Sequence, residues 1–273
     1  MTLNSTKNKN ILRRIEKHLG VPLLADKLAN ELSPSDFNSL LIEIFGINSG
    51  KISPSEMLKR YAQNQYAWPS ACNAAQYRCL EADMLLAAEQ KGVHSIILSP
   101  ASLFGCCSVF GAVSQDKIIS ATRNLEILSD ATNMLAFYIA SGIKDGTLSH
   151  ENDPIHFCTT HRHIRYQSVF RAGMLPHFGI FTMVSAGKSR SSYMFEIETL
   201  LFHLRFYCDY WRQKYGSMLS VSLNRRSGYK DPAGFFNRAI EAVRENMKDL
   251  EIVIDEQENH TTYYKGLQAT VTA

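Results

Sequence analysis

The part of the chain that most constrains its fold is a pair of apolar runs separated by a polar loop. Residues 155–165 are rich in β-branched and aromatic side chains and end in alternating basic residues, whereas residues 178–184 form a second apolar run. The loop between them, residues 168–176, is longer than a tight hairpin needs. The pattern predicts two strands joined by a functional loop, with Arg165 as a phosphate ligand. The alternative interpretation is a basic sheet face exposed to water.

Composition and charge exclude several classes of protein. The 273 residues are 45% hydrophobic and 20% charged, with a mean hydropathy of −0.16, which is typical of a soluble globular protein. No apolar run is long enough to span a bilayer, and the start lacks the apolar core of a secretory signal. A net charge of +3 without a long basic block argues against nucleic-acid binding. We therefore expect a cytoplasmic protein without a membrane partner.

The N-terminal part of the chain predicts helices. Residues 1–10 are polar, and we expect them to be disordered. Two similar helix starts follow, Ser33-Pro34-Ser35-Asp36 and Ser53-Pro54-Ser55-Glu56, each with a Ser cap, a Pro in the first turn and an acid three residues after the cap. We predict a helical extension over residues 1–70, which packs on the main body or binds a partner protein through residues 11–67.

The cysteines are expected to be reduced thiols, because their spacing fits no disulfide framework in a chain of this length (Cys72, Cys79, Cys106, Cys107, Cys158, Cys208). Cys158 with the neighbouring histidines (His156, His161, His163) leaves a zinc site as an alternative. We predict no metal site, since residues at that spacing fall on both faces of a strand. The Cys106-Cys107 pair is interpreted as buried packing, with a Cys/His hydrolase as the alternative.

The core, residues 71–273, begins with a predicted helix over residues 72–90, followed by Gly92, a strand over residues 93–98 and Pro100. A long helix, a Gly, a short strand and a Pro resembles the first signature motif of class II aminoacyl-tRNA synthetases. In that family the motif forms the dimer interface, so the resemblance implies a homodimer.

The pair of apolar runs resembles the second motif of the same family, which is a strand ending in Phe-Arg-x-Glu, a variable loop and a return strand beginning with an acid or His before Phe. Here Ile164-Arg165-Tyr166-Gln167 ends the first strand and His177-Phe178 starts the return. The resemblance implies that Arg165 holds the ATP α-phosphate, that Phe178 stacks on adenine, and that Gln167 and His177 complete a nucleotide site with Mg²⁺. An alternative register uses Phe170-Arg171; we prefer Arg165 because its distance from His177-Phe178 suits the loop.

Two further segments resemble the amino-acid pocket of histidyl-tRNA synthetases. Leu128–Asn133 is similar to their Leu-Arg-Pro-Glu-x-Thr, which implies substrate contacts for Asp130 and Thr132, although helix capping also explains both. Tyr263-Tyr264-Lys265-Gly266 looks like the Tyr-Tyr-Thr-Gly of these enzymes and of the regulatory subunit of ATP phosphoribosyltransferase. It implies that Tyr263, Tyr264 and Gly266 line the pocket, whereas two aromatic residues on a half-buried strand is the simpler interpretation.

The motifs occur in the family's order, but the third, a Gly-Gly-x-Arg whose Arg holds the γ-phosphate, is missing from this sequence. Either the sequence is truncated, or the protein has left ATP-dependent aminoacylation behind. The resemblance implies a paralogue that binds a small metabolite, an amino acid and/or ATP, and that could adenylate it. The alternative is a non-catalytic regulatory or scaffold subunit that keeps the pocket as a sensor.

The predicted fold is therefore α+β, with a largely antiparallel sheet flanked by helices and preceded by the helical extension. Four aromatic residues are assigned to the core and not to a ligand (Tyr138, Phe202, Phe206, Trp211). A strand over residues 250–255 is predicted to be buried.

Overall fold

A computed structural model describes residues 4–111, 114–151, 153–164, 166, 176–255 and 264–273, with side chains from residue 9 onward. The chain divides into two compact units. Unit one contains residues 1–71, 99–129 and 163–178, and unit two contains residues 72–98, 130–162 and 179–273. The predicted boundary near residue 70 stays a prediction.

The described α-helices are α1 (Asn4–Leu19), α2 (Leu24–Asn30), α3 (Pro34–Ser49), α4 (Pro54–Gln63), α5 (Ala74–Glu89), α6 (Cys106–Phe110), α7 (Ala131–Asp145), α8 (Met194–Tyr215) and α9 (Pro232–Asn246). The described strands are β1 (His94–Ser95), β2 (Ala101–Leu103), β3 (Leu125–Ile127), β4 (Ile155–Ile164), β5 (His177–Ala186), β6 (Ser220–Arg225), β7 (Glu251–Asp255) and β8 (Leu267–Thr272). This mixture confirms the α+β class.

The helix starts predicted in the extension are confirmed. The Ser33 hydroxyl accepts the backbone N–H of Asp36 at 3.1 Å, and the Ser53 hydroxyl accepts that of Glu56 at 3.2 Å. The expected disorder of residues 1–10 is wrong for residues 4–10, because α1 begins at Asn4. Polar composition alone does not stop a helix that is free of Pro and Gly and continuous with an amphipathic segment.

The helices of the extension keep their side chains at least partly exposed. None of the residues of α2, α3 or α4 is buried. Exposed apolar side chains include those of Leu23, Phe45, Ile47 and Leu58. The apolar side chains of α3 are therefore not sealed from water.

Unit two contains a core built on the sheet β7-β6-β8. Strand β6 pairs in parallel with β7 and antiparallel with β8. Helices α8 and α9 pack against it, and their buried side chains form one cluster with those of β6 (Ile197, Leu201, Leu204, Val221, Leu223, Phe235, Phe236, Ala239, Ile240, Val243). Burial of this apolar surface is the main stabilising contribution to this layer.

A second sheet has the order β1-β4-β5, with β1 parallel to β4. Consecutive residues of β4 point to opposite faces, and the two faces have different neighbours. Phe157 packs with Leu135 and Ile139 of α7, whereas Cys158 packs with Ala88 near the end of α5 and with Phe206 of α8. Both faces of β4 are thus covered by helices within unit two.

Several elements differ from the sequence-based predictions. The strand predicted over residues 93–98 is reduced to His94–Ser95, with one further backbone bond from the Ile96 N–H to the Cys158 carbonyl, and Ile97 is 99% exposed. The strand predicted to be buried is instead the sheet-edge strand β7, in which Val253 is exposed. A run of three apolar residues, Ile252 to Ile254, does not distinguish a central strand from an edge strand.

The assignment of aromatic residues to the core is confirmed for Phe206, which is 2% exposed, and Phe202 packs against the same cluster. It is wrong for Tyr138, which is 47% exposed, although its ring makes a T-shaped contact with the ring of the buried Phe157. Trp211 is partly buried, and its indole N–H donates to the Ser217 hydroxyl. Within the described residues, no helix combines the length and apolarity needed to cross a lipid bilayer.

Candidate functional site

The two strands of the predicted nucleotide site are ten residues long and lie next to each other in one sheet. The return strand β5 starts at His177, as predicted, and Phe178 follows as its second residue. Arg165 and Gln167 lie outside the described residues, as does Arg171 of the alternative register. The choice between the two registers therefore stays a prediction.

Phe178 has an aromatic neighbour from β4. The ring of His163, which is 1% exposed, lies with its centroid 6.2 Å from that of Phe178, and the two planes are tilted by 32°. The Phe178 ring is partly buried. An aromatic side chain held in this way at a strand end can stack on a flat ligand.

His177 is engaged with the segment that follows α4. Its Nε2 donates to the backbone carbonyl of Trp68 at 2.6 Å, and the Trp68 indole N–H donates in turn to the carbonyl of Tyr61 at 2.7 Å. These bonds connect the start of β5 to the end of the helical extension, all within unit one. His177 thus has a structural contact that the sequence did not indicate.

Asp130 and Thr132 form the start of α7. The Asp130 carboxylate accepts the backbone N–H of Thr132 at 2.9 Å, which makes Asp130 the N-cap, and the Thr132 side chain is exposed. This is the capping alternative considered from the sequence. A carboxylate has further acceptor positions, so capping leaves the predicted substrate contact open as a prediction.

Tyr263 lies outside the described residues, whereas Tyr264 is described and is 43% exposed. Gly266 has a φ of +73°, and a Cβ built on it would lie 2.1 Å from Cε2 of Tyr229. Its N–H donates to the carbonyl of Ser227, and its own carbonyl accepts from Arg226. Backbone conformation and close packing therefore account for a Gly at this position.

A buried carboxylate in unit one was missed by the sequence analysis. Glu126 of β3 is 0% exposed, and its oxygens accept the backbone N–H groups of Gly105 and Cys107 at 2.9 and 3.2 Å and the side-chain amide of Gln115 at 2.8 Å. It fixes the start of α6. An acid inside the short apolar run Leu125-Glu126-Ile127 was the only sequence signal, and β3 itself was not predicted.

A second missed group links β4, β5 and α8 within unit two. The Ser185 hydroxyl lies between two imidazoles, 2.6 Å from Nδ1 of His156 and 2.7 Å from Nε2 of His203. The hydroxyl can donate its single proton to only one of the rings, so at least one ring must donate its N–H to the hydroxyl oxygen. Burial, assisted by the neighbouring His156, lowers the pKa of His203 to about 4, and burial with the nearby His94 lowers the pKa of His156. Both rings are therefore neutral near pH 7.

Arg226 follows β6 and is 7% exposed, and its Nε donates to the side-chain oxygen of Gln268 on β8 at 3.1 Å. Two residues earlier, the Asn224 amide donates to the Asp255 carboxylate at 2.7 Å. In the described structure these side chains tie β6 to both of its neighbouring strands.

The two cysteine-based alternatives meet unfavourable surroundings. Burial raises the pKa of the Cys158 thiol to about 11, with the nearby Glu89 adding to the shift, and the side chain packs among apolar residues. A thiol that stays protonated is a poor nucleophile, and zinc would have to displace its proton in order to bind. Cys106 and Cys107 are 3% and 0% exposed, which agrees with the packing interpretation.

Solved structures with a similar fold are class II aminoacyl-tRNA synthetases. The chain matches a protein assigned as a threonyl-tRNA synthetase from Aeropyrum pernix with a TM-score of 0.58 and 11% identity, over 76% of this chain and 47% of that one. It matches the histidyl-tRNA synthetase of S. aureus with a TM-score of 0.50 and 12% identity, over 72% of this chain and 51% of that one. It matches the histidyl-tRNA synthetase of a Nostoc species with a TM-score of 0.51 and 13% identity, over 75% of this chain and 63% of that one.

This chain therefore has a class II aminoacyl-tRNA synthetase-like fold. It spans about half of the length of the first two synthetases named above. No protein-family model matches the sequence, and no curated protein matches it. The likeness includes threonyl as well as histidyl enzymes, and at these identities it defines the fold alone.

Proposed function

We propose that this chain binds a small metabolite, ATP with Mg²⁺ together with an amino acid, in a synthetase-like site. The observation that carries the proposal is the pair of adjacent strands β4 and β5 in a class II fold, with Phe178 at the start of the return strand. The partly buried Phe178 ring fits a stacking role toward a purine. Arg165, at the end of the first run, would supply the cation for a phosphate.

The chemistry proposed for such a site is adenylation of the amino acid. Arg165 would hold the α-phosphate while the substrate carboxylate attacks it, so that the new carboxyl–phosphate bond forms as the bond to the β-phosphate breaks and pyrophosphate leaves. Asp130 and Tyr264 would position the amino group, with Thr132, Tyr263 and Gly266 completing the pocket. Positioning and neutralisation of phosphate charge are the main contributions to catalysis of this kind.

Isothermal titration with ATP·Mg²⁺ tests the nucleotide site. We expect millimolar or tighter binding by the wild type, about ten-fold weaker binding by Arg165→Ala, and unchanged binding by the matched variant Arg171→Ala. The reverse result would favour the alternative register. If the wild type releases no heat at millimolar ATP, nucleotide binding is excluded.

Exchange of labelled pyrophosphate into ATP, measured with each of the standard amino acids, then separates an enzyme from a regulator. Amino-acid-dependent exchange supports adenylation. Binding of an amino acid without exchange supports the alternative of a non-catalytic regulatory or scaffold subunit.

We also propose a homodimer that uses the segment resembling the first class II motif. In unit two, Leu86 of α5 is 56% exposed and Ile97 beyond β1 is 99% exposed, so both side chains are available for burial. Light scattering should find a dimer that Ile97→Asp dissociates, while Val253→Asp, an equally polar change at an exposed apolar site on β7, leaves it intact. A wild-type monomer would exclude this assembly.

The exposed apolar side chains of the extension support the proposed protein partner of residues 11–67, since apolar surface of this kind is normally covered in a complex. A cytoplasmic location belongs to the same proposal and rests on the cysteine spacing of the sequence.

A further inference from the structure

Unit two contains a cavity that takes no part in the site described above. It has a volume of about 370 Å³ and lies between α8, the segment from Tyr229 to Phe235 and one face of β8. On β8, Leu267, Ala269 and Val271 line it, whereas Gln268 between them bonds to Arg226. Because neighbouring strand residues alternate in direction, Gln268 points to the opposite face of the sheet.

None of the described residues assigned to the nucleotide or amino-acid site lines this cavity. Its volume lies within the range that small-molecule sites occupy, roughly 300–1,000 Å³. The cavity is therefore a separate potential binding site.

The walls are mostly apolar and aromatic (Phe195, Leu200, Leu204, Tyr207, Tyr229, Phe235). A ligand that fills the cavity must therefore have an apolar body. Most of the binding energy would come from the burial of that body, and the few polar groups in the wall would set its orientation.

Two polar atoms of the α8 wall have no hydrogen-bond partner in the described structure. Oε2 of Glu196 and Oγ1 of Thr199 are both shielded from solvent and unpaired. They are three residues apart on one helix and so lie on the same side of it. A buried acceptor without a donor costs about 1–3 kcal/mol, more when it is charged, and a ligand donor would recover that free energy.

The acidic group of the wall favours a cationic donor, and the one basic residue of the wall, Lys265, is exposed to solvent. Glu196 is the one acidic residue among those lining the cavity. His203 also lines it, but its low pKa of about 4 and its bond to Ser185 keep it neutral. Tyr229 and Glu196 line the same cavity, and burial, together with the negative charge of Glu196, raises the pKa of the Tyr229 phenol. Aromatic faces next to a carboxylate are a favourable environment for an ammonium group.

We propose that this cavity binds a small primary amine with an apolar or aromatic body. The ammonium group donates to Glu196 and Thr199, and the body packs against Leu204, Phe235 and Val271. The chemistry is shared by simple amines and by apolar amino acids, whose carboxylate could in addition pair with the exposed Lys265 at the cavity wall.

Ligand-observed NMR and isothermal titration of the full chain with 2-phenylethylamine, phenylalanine and 3-phenylpropionate test the proposal. We expect 2-phenylethylamine to bind the wild type at millimolar or lower concentration and 3-phenylpropionate to bind at least ten-fold more weakly. Phenylalanine binding tighter than the amine, and weakened by Lys265→Ala, would identify an amino acid as the ligand; equal or weaker binding would identify a simple amine.

Two variants locate the binding. Glu196→Gln should weaken the amine about ten-fold, whereas Glu198→Gln, an exposed acid on the same turn that pairs with Arg190, should leave it unchanged. Ala269→Leu should block binding by filling the cavity, with the thermal midpoint of each variant measured to confirm folding. Failure of all three probes to bind, stronger binding of the acid than of the amine, or equal affinities in both Glu variants would overturn the proposal. ATP binding at Arg165 would be unaffected by any of these outcomes.

Discussion

Helices α3 and α9 begin in the same way but have different surroundings. Each starts with Pro after a polar cap, Ser33 in one and Asp231 in the other, and each cap accepts the N–H of the residue three positions on. Their lengths are 16 and 15 residues. Yet α9 buries five side chains (Phe235, Phe236, Ala239, Ile240, Val243), whereas α3, the more apolar of the two, buries none.

The comparison separates what local sequence determines from what tertiary packing determines. Cap chemistry and the Pro position act within one helical turn, so both starts could be predicted. Burial depends on whether another element covers the apolar stripe. Helix α9 has the sheet β7-β6-β8 beneath it, while Phe45 and Ile47 of α3 stay more than half exposed. We therefore expect α9 to contribute strongly to the stability of the chain and the exposed face of α3 to be available for the proposed protein partner.

The largest contrast should come from removing one large ring from each helix. Phe236→Ala deletes a side chain that is 2% exposed and should lower the free energy of unfolding by about 3–5 kcal/mol. Phe45→Ala removes a ring that is 57% exposed and should change it by about 0.5 kcal/mol or less. Urea unfolding followed by circular dichroism measures both. Equal losses would mean that α3 belongs to the core.

Gly266→Ala tests how tightly the residue before β8 packs against Tyr229 and, through it, against α9. The new Cβ would be placed at a φ of +73° and 2.1 Å from Tyr229, which itself contacts Phe235. Backbone strain and overpacking together should cost about 3 kcal/mol. The matched change at Gly20, which has a φ of +69° but no atom within 4 Å of the new Cβ, isolates the strain and should cost about 1 kcal/mol. A Gly266 variant no worse than the Gly20 variant would show that the packing is loose.

A fall in pH should destabilise the packing of α8 in unit two at a higher pH than it affects the helical extension. The pKa of His203 is about 4 in the folded chain and near 6.5 when unfolded, so the unfolded state binds the extra proton first as the pH falls. Stability is therefore full above about pH 6.5, declines as the pH falls toward about 4, and loses no more from this group below that. After allowance for the partly exposed ring, the loss is about 2 kcal/mol. His203→Gln should flatten the dependence of the unfolding free energy on pH between about pH 6.5 and 4. An unchanged slope in this variant would refute the assignment of the pH dependence to His203.

The smallest effects concern the two caps. Asp231→Ala and Ser33→Ala each remove a cap worth about 1 kcal/mol. The first should lower the urea midpoint because α9 belongs to the core. The second should leave that midpoint unchanged and instead speed amide exchange in α3 alone. A Ser33 variant that shifts the midpoint as much as the Asp231 variant would remove the distinction between the two helices.

Much of the fold followed from local signals, and most of what was missed depends on long-range contacts. The apolar runs of β4 and β5 and the start of the return strand at His177 could be predicted, because alternation and turn residues are local. Glu126 could not, since its donors come from Gly105, Cys107 and Gln115, which are distant in sequence. The same holds for Ser185 with its two histidines. The error at Tyr138 arose because a helical aromatic residue can contact a buried ring and still stay about half exposed to solvent.

The nucleotide site is proposed for β4 and β5 and not for the helical extension. Hydrogen–deuterium exchange of the full chain, with and without saturating ATP·Mg²⁺, tests it most directly. We predict slower exchange in peptides covering residues 155–164 and 177–186, at least three-fold in rate, with no change over residues 34–63. Protection confined to residues 34–63, or no protection anywhere at saturating ATP, would exclude a nucleotide site on β4 and β5.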